Sequence, residues 1–299
     1  MNGTAFTVTP SGGPLGAEVA GLDLAVPLHA TALDELNSAF HRHLVLLFRG
    51  QRLTADTLIA FGRQFGRLHA TEGVAYGAKP AGTPPEIEIL SNLPEDAVPE
   101  GARPADEATW HTDMSMYEIP AAASIAHAVE VPSGTGLIRF TNLYRACETL
   151  PDDLERAVRG RRSLHDAAYT AMGEIRGGYA PVEDRSRGPG ARHPVLRRHP
   201  ETGRTALYLG RRGYGYLEGY SVAESDRLLD ALWRHMTRPE LVWTHEWRNG
   251  DVVMWDNRCC AHMRTAFDPR LRRRLLRVTV EGDRPQAADG AAGDGGSQQ

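Results

Sequence analysis

The stretch that decides the fold is Trp110-His111-Thr112-Asp113. On a β-strand alternate side chains point to one face. Strand geometry would therefore send His111 and Asp113 the same way, aiming an imidazole and a carboxylate at one point. A third donor is needed. The candidate is His262, which follows the strand-like run Asp251-Val252-Val253-Met254-Trp255-Asp256-Asn257.

Two histidines and one carboxylate on one side of a metal leave the opposite positions open, as in non-haem Fe(II) oxygenases. The tripeptide alone is a weak signal. With 12 His and 38 acidic residues in 299, chance supplies about 1.5 copies of His-x-Asp/Glu. A second copy, His199-Pro200-Glu201, runs into Thr202-Gly203 and reads as a polar hairpin turn. Taken by itself, His111 reads equally well as a hydrogen-bonded, partly buried histidine.

The flanks change that balance. Trp110-His111-Thr112-Asp113 is followed, after a long interval, by Trp255-Asp256-Asn257-Arg258 and His262. An Arg-rich strand ending Arg277-Val278-Thr279-Val280-Glu281-Gly282-Asp283 comes next. Further blocks are Gly16 to Leu24, Leu46-Leu47-Phe48-Arg49-Gly50-Gln51, Phe61 to Gly66 and His193 to Pro200. In this order, from about Gly16 to Pro285, the chain resembles the taurine dioxygenase family of Fe(II)- and 2-oxoglutarate-dependent oxygenases. The resemblance implies a double-stranded β-helix (jelly roll), mostly β with flanking helices, and a metal held by His111, Asp113 and His262. It implies Fe(II), 2-oxoglutarate as co-substrate, O2 as oxidant, and release of succinate and CO2. The carboxylate at Asp113 excludes halogenation, whose enzymes leave that position to chloride. Hydroxylation, desaturation or C–X cleavage is expected instead.

Composition agrees with a large single domain. Hydrophobic residues make up 41% and charged residues 24%, enough for a sizeable core. A net charge of −4 argues against a general nucleic-acid binder. No apolar run approaches the roughly 18 residues of a membrane span. The N-terminus lacks a basic segment followed by an apolar one. Cys147, Cys259 and Cys260 form no disulfide framework, so a cytoplasmic location is expected. Residues 1–285 read as one domain and 286–299 as a disordered tail. Self-association is left open.

Leu33, Leu36, Phe40 and Leu44 recur at helical period over Ala32 to Leu44, and Val45 to Phe48 reads as a buried strand. Thr54 is a plausible N-cap for a second helix that turns Leu58, Phe61 and Phe65 inward. Between Thr71 and Ala108 the chain is rich in Gly, Pro, Glu and Ala, broken by a strand over Glu86 to Leu90. Such a segment beside a metal motif suggests a lid or substrate loop. Ala121 to Val131 reads as a buried strand, and His193 to Leu209 as a hairpin.

The family pattern is broken at one place. Where it has Gly-Gly-Asp-Thr, this chain has Leu137 and Ile138 in place of the Asp and Thr. A methyl group cannot donate the hydrogen bond that the Thr gives to 2-oxoglutarate. Thr141 or Thr279 is expected to substitute.

A strand over Arg273 to Val280 would put Arg273, Leu275, Arg277 and Thr279 on one face. The resemblance implies that Arg273 anchors the far carboxylate of 2-oxoglutarate, with Arg277 nearby and able to meet an anionic substrate. The 15-residue spacing from His262 to Arg277 agrees with the family. Tyr76 and Tyr208 would line the substrate pocket by the same resemblance. With Arg211, Arg277 and Arg139, the last of which either faces solvent or binds an anion, they would suit a small acid. The high Arg and Ala content fits a GC-rich bacterial genome, and natural-product tailoring competes with sulfur scavenging as the role. The competing class is a metal-binding jelly roll of hydrolytic or binding function that has lost 2-oxoglutarate.

Overall fold

The computed structural model describes residues 6–70, 82–96 and 105–288. It is mostly β, with helices packed on the outside. The larger sheet has seven strands, in the order Thr7–Pro10, Ala17–Ala20, Val45–Phe48, Val252–Asp256, Ala121–Glu130, Arg274–Glu281 and Glu88–Ser91. Neighbours are antiparallel except Ala17–Ala20 with Val45–Phe48. A four-stranded antiparallel sheet runs Val242–His245, Ile138–Asn142, Cys260–Arg264, Ala108–His111. Two three-stranded sheets are centred on Arg162–Asp166 and Leu196–Arg198.

Alternation along the strands divides the core in two. Leu46, Phe48, Val252 and Met254 point to one side, where Leu36 and Phe40 of the helix Ala30–His43 and Leu58 and Phe61 of the helix Ala55–Arg63 cover them. Val45, Leu47, Val253 and Trp255 point to the other side and join Ile138, Phe140 and Ala261 of the smaller sheet. Phe140 and Trp255 meet there with ring centroids 5.7 Å apart. Each fully buried Leu, Val or Phe contributes roughly 1.5–3 kcal/mol, so this two-sided burial holds the large sheet in place.

The helix ends follow the sequence. Thr54 accepts a hydrogen bond from the Thr57 amide, and the Thr57 hydroxyl accepts one from the Thr54 amide, closing a capping box. The first helix stops at Leu44, whose φ of 67° lets its amide cap the Phe40 carbonyl and turns the chain into the next strand. The second helix ends at Arg63, before Phe65, which still packs edge-on against Phe61. Val129, expected inside, is exposed. The expected hairpin forms between Leu196–Arg198 and Thr205–Leu207. The tail expected to be disordered from 286 begins instead with a strand: Gln286 and Ala287 pair with Arg198 and Arg197. Residues 289–299 lie outside the described residues.

Candidate metal centre and its cavity

His111 and His262 are register partners on adjacent antiparallel strands, with ring centroids 4.3 Å apart. Asp113 joins them from a different geometry than strand alternation supplies. The strand ends at His111, and Met114 takes a positive φ of 56°. What aims Asp113 is hydrogen bonding. Its amide donates to Asn257 Oδ1 at 3.1 Å, and Ser124 Oγ donates to its Oδ2 at 2.7 Å. Asn257 Nδ2 donates in turn to Ser124 Oγ at 2.9 Å. Asp113 Oδ1 is left facing the histidines.

The Nε2 atoms of His111 and His262 lie 3.8 and 3.7 Å from Asp113 Oδ1, and the three donor atoms fall within 4.8 Å of one another. These gaps are too long for hydrogen bonds. Two metal–ligand bonds of about 2.1 Å would span each of them. His111 Nδ1 is 2.6 Å from the Thr109 carbonyl, which can only accept, so Nδ1 carries the proton and Nε2 presents its lone pair. Burial, then the neighbouring His262, pushes the His111 imidazole down to about 3. Burial pushes His262 down to about 4. Burial alone would raise Asp113, but Arg277 and the two histidines outweigh it and hold the carboxyl below its usual range. Neutral imidazoles beside an ionised carboxylate are the protonation states a divalent cation requires, and the residues fit Fe(II).

The triad opens into a cavity of about 690 Å³. Arg273, Leu275, Arg277 and Thr279 all line it, as strand alternation predicts. Arg273 is buried, with its guanidinium carbon 5.7 Å from the centre of the Phe267 ring and its amide donating to Asn92. Arg270 and Arg272 face outward on carboxylates instead. Arg277 is engaged: Nε and Nη2 donate to Glu88 Oε2 at 2.9 and 2.6 Å, and Nη1 donates to Asp113 Oδ1 at 2.9 Å.

Several expected positions are displaced. Ile138 is on the cavity wall where the family hydroxyl would be. Thr141 does not replace it, because it is fully buried elsewhere and donates to the Met236 carbonyl. Thr279 remains. Arg139 does not line the cavity. It alternates with the buried Ile138 and Phe140 and so faces outward. Tyr208 is not on the wall either. It is fully buried behind Thr112, whose hydroxyl is 3.5 Å from its own, and it stacks on His165 with centroids 4.8 Å apart. Tyr76 lies outside the described residues.

Sequence reading missed Glu88, Ser124 and Arg176. The strand around Glu88 was expected, but only its register opposite Arg277 makes Glu88 a cavity residue. Ser124 sits in an Ala-rich strand and gives no signal of its own. The second His-x-Glu is more than a polar turn. His199 is fully buried and shares Asp256 with Arg258, at 3.0 and 2.8 Å. Cys259 is close enough for His199, Asp256 and Cys259 to resemble a metal site. Both Asp256 oxygens are already held by the Arg258 guanidinium, at 2.9 and 2.8 Å, so this cluster is an ion-pair network.

The family model described as "Taurine catabolism dioxygenase TauD, TfdA family" matches residues 7–279. The chain belongs to that family. It is 36% identical to pentalenolactone F synthase of Streptomyces avermitilis, over 92% of this chain and 93% of that one. It is 34% identical to the alpha-ketoglutarate-dependent 2,4-dichlorophenoxyacetate dioxygenase of Cupriavidus pinatubonensis, over 89% and 94%. A solved taurine dioxygenase from Burkholderia xenovorans superposes with a TM-score of 0.78 at 33% identity, covering 96% of this chain and 92% of that one.

This family member is a non-haem Fe(II)- and 2-oxoglutarate-dependent dioxygenase acting on a small molecule. That decides against the hydrolytic or binding jelly roll. Among the described residues no helix is long and apolar enough to cross a membrane.

Proposed function

We propose that His111, Asp113 and His262 hold the Fe(II), that Arg273 with Thr279 holds the far carboxylate of 2-oxoglutarate, and that the substrate is a small organic acid. The carrying observation is that all five side chains line one cavity. The sheets are read as a double-stranded β-helix. The packing of the larger sheet against the smaller through Trp255 and Phe140 supports this. When bound, iron, 2-oxoglutarate and O2 supply the oxidising power, with 2-oxoglutarate leaving as succinate and CO2.

The chain's own work is positioning. Ser124 and Asn257 fix Asp113, and the Thr109 carbonyl fixes the His111 tautomer. Arg273 offers a planar fork matched to a carboxylate. Ile138, Leu275 and Trp255 give the metal side of the cavity an apolar lining that excludes water.

The acidic character of the substrate is supported by charge. Among the described residues the cavity is lined by six arginines against four carboxylates. One cation is assigned to 2-oxoglutarate and one carboxylate to the metal, and an excess of positive charge remains. Likeness to pentalenolactone F synthase favours a natural-product tailoring step in a bacterial cytoplasm, where cysteine thiols would stay reduced.

The test is succinate formation from 2-oxoglutarate with Fe(II) and O2. Arg273→Ala should raise the KM for 2-oxoglutarate about 30-fold or more, since losing one side of a desolvated charge pair costs at least about 2 kcal/mol. An unchanged KM would remove Arg273 from the role.

A further inference from the structure

Of the three buried tryptophans, two have their indole N–H groups paired. Trp233 Nε1 donates to the Gly210 carbonyl at 3.1 Å, and Trp255 Nε1 donates to Asn257 Oδ1 at 3.2 Å. Trp247 is the exception. It is 3% exposed, and its Nε1 has no hydrogen-bond partner among the described residues. A buried donor left unmet carries the full penalty of losing water, so such groups are rare in folded chains. This one belongs to a residue on the wall of the metal cavity.

Its place on that wall follows from strand pairing. His245 is the register partner of Ile138, and the Trp247 ring packs edge-on against His245 with centroids 4.9 Å apart. Trp247, Ile138 and Leu275 belong to one buried cluster, and all three line the cavity. Arg273 lies two residues before Leu275 and also lines it. A Cβ built on Gly136, two residues before Ile138, would come within 3.6 Å of Arg273 Nε. One end of the cavity is therefore walled by a guanidinium, by the methyl groups of Ile138 and by an indole.

An indole N–H can only donate, so hydrocarbon does not satisfy it and an oxygen acceptor does. An ionised carboxylate has about four lone-pair positions, and a guanidinium fork takes about two of them. We propose that Trp247 Nε1–H donates to the far carboxylate of 2-oxoglutarate, in place of the hydroxyl that Ile138 lacks. This rests on the reading that Arg273 holds that carboxylate. The two partners complete each other. The co-substrate gains a donor beside an apolar wall, and the indole gains the acceptor that the fold does not give it.

The experiment measures ligand binding to the Mn(II)-loaded protein by calorimetry. N-oxalylglycine carries both carboxylates of 2-oxoglutarate. 2-Oxopentanoate has the same keto acid end but a methyl group at the far end. Trp247→Phe keeps an aromatic ring and removes the N–H. It should weaken N-oxalylglycine about tenfold or more, as expected for a hydrogen bond to a charged group, and leave 2-oxopentanoate unchanged. Adding Ile138→Thr to Trp247→Phe should restore most of the loss, because a hydroxyl again faces the carboxylate. A loss equal for both ligands, or one that the hydroxyl does not restore, would make Trp247 a packing residue and overturn the proposal. Arg273→Ala separates the two readings. If it weakens N-oxalylglycine and Trp247→Phe does not, only the indole donor is overturned. If neither does, the placement of the co-substrate against Arg273 is overturned and the indole donor with it. If Trp247→Phe fails to fold, the indole N–H resonances of wild type labelled with 15N-tryptophan carry the test. With Zn(II) in the site, N-oxalylglycine should move a buried indole signal downfield where 2-oxopentanoate does not. Identical spectra with the two ligands would overturn the proposal.

Discussion

Arg277 and Glu88 stand opposite each other on adjacent antiparallel strands, and one carboxylate oxygen takes two of the guanidinium's N–H groups. The third terminal contact of Arg277 is to Asp113 Oδ1, the oxygen that faces the two histidines. Glu88 therefore holds part of a positive charge away from a metal ligand. Glu88→Gln would leave Arg277 to pair more fully with Asp113 and compete with the cation. The affinity for Mn(II), used as an Fe(II) substitute and followed by the free-ion EPR signal, should fall about tenfold, within the range seen when groups behind a ligand are changed. An unchanged affinity would make the Glu88 contact purely structural.

Metal binding should register as stability, because the three donors converge only in the folded chain. At a Mn(II) concentration 100 times its Kd, wild type should gain about 2.7 kcal/mol. Asp113→Ala should show no metal-dependent rise in melting temperature. A rise equal to wild type would place the ion elsewhere.

Acid should weaken the fold through buried histidines. Burial, with added repulsion from Arg197, pushes His193 down to about 4, and burial pushes His165 well below its usual value. A histidine depressed in the folded state takes up its proton more readily when unfolded. The stability it contributes is therefore complete above about pH 6.5 and lost as pH falls towards 4. The melting temperature of the metal-free protein should decline through this window, with His111 and His262 adding to the slope. His193→Gln should flatten the decline relative to wild type. Parallel slopes would assign the acid sensitivity to other groups.

The Asp256–Arg258 pair lies at the centre of the second cluster, with both side chains nearly fully buried. Arg258→Met would strand a buried carboxylate that His199 alone cannot neutralise. The expected cost is about 3–5 kcal/mol in urea unfolding. A loss below about 1 kcal/mol would show that water reaches Asp256.

The elements were largely legible because their signals are local. Thr54 announces a helix through hydroxyl capping, and Val45 to Phe48 announces a strand through an unbroken apolar run. The face shared by Arg273, Leu275, Arg277 and Thr279 follows from the two-residue period of the strand. Where the reading failed, the cause was non-local. The charge of Arg139 is visible in sequence and leaves solvent exposure and anion binding both open, whereas its outward orientation is set by which neighbours of Ile138–Asn142 are packed. The resemblance puts Tyr208 on the wall, but Thr112 stands in front of it.

The sequence by itself determined the metal chemistry, since two imidazoles and a carboxylate are identifiable as residue types and their flanks identify the family. Only the tertiary structure decided which cations stay available inside the cavity. Charge is a property of a residue, but its neutralisation depends on strands far apart in the chain, as Glu88 meets Arg277 and Asp166 meets Arg211. Strand register and loop packing set those meetings, and neither is written in any one stretch of the chain.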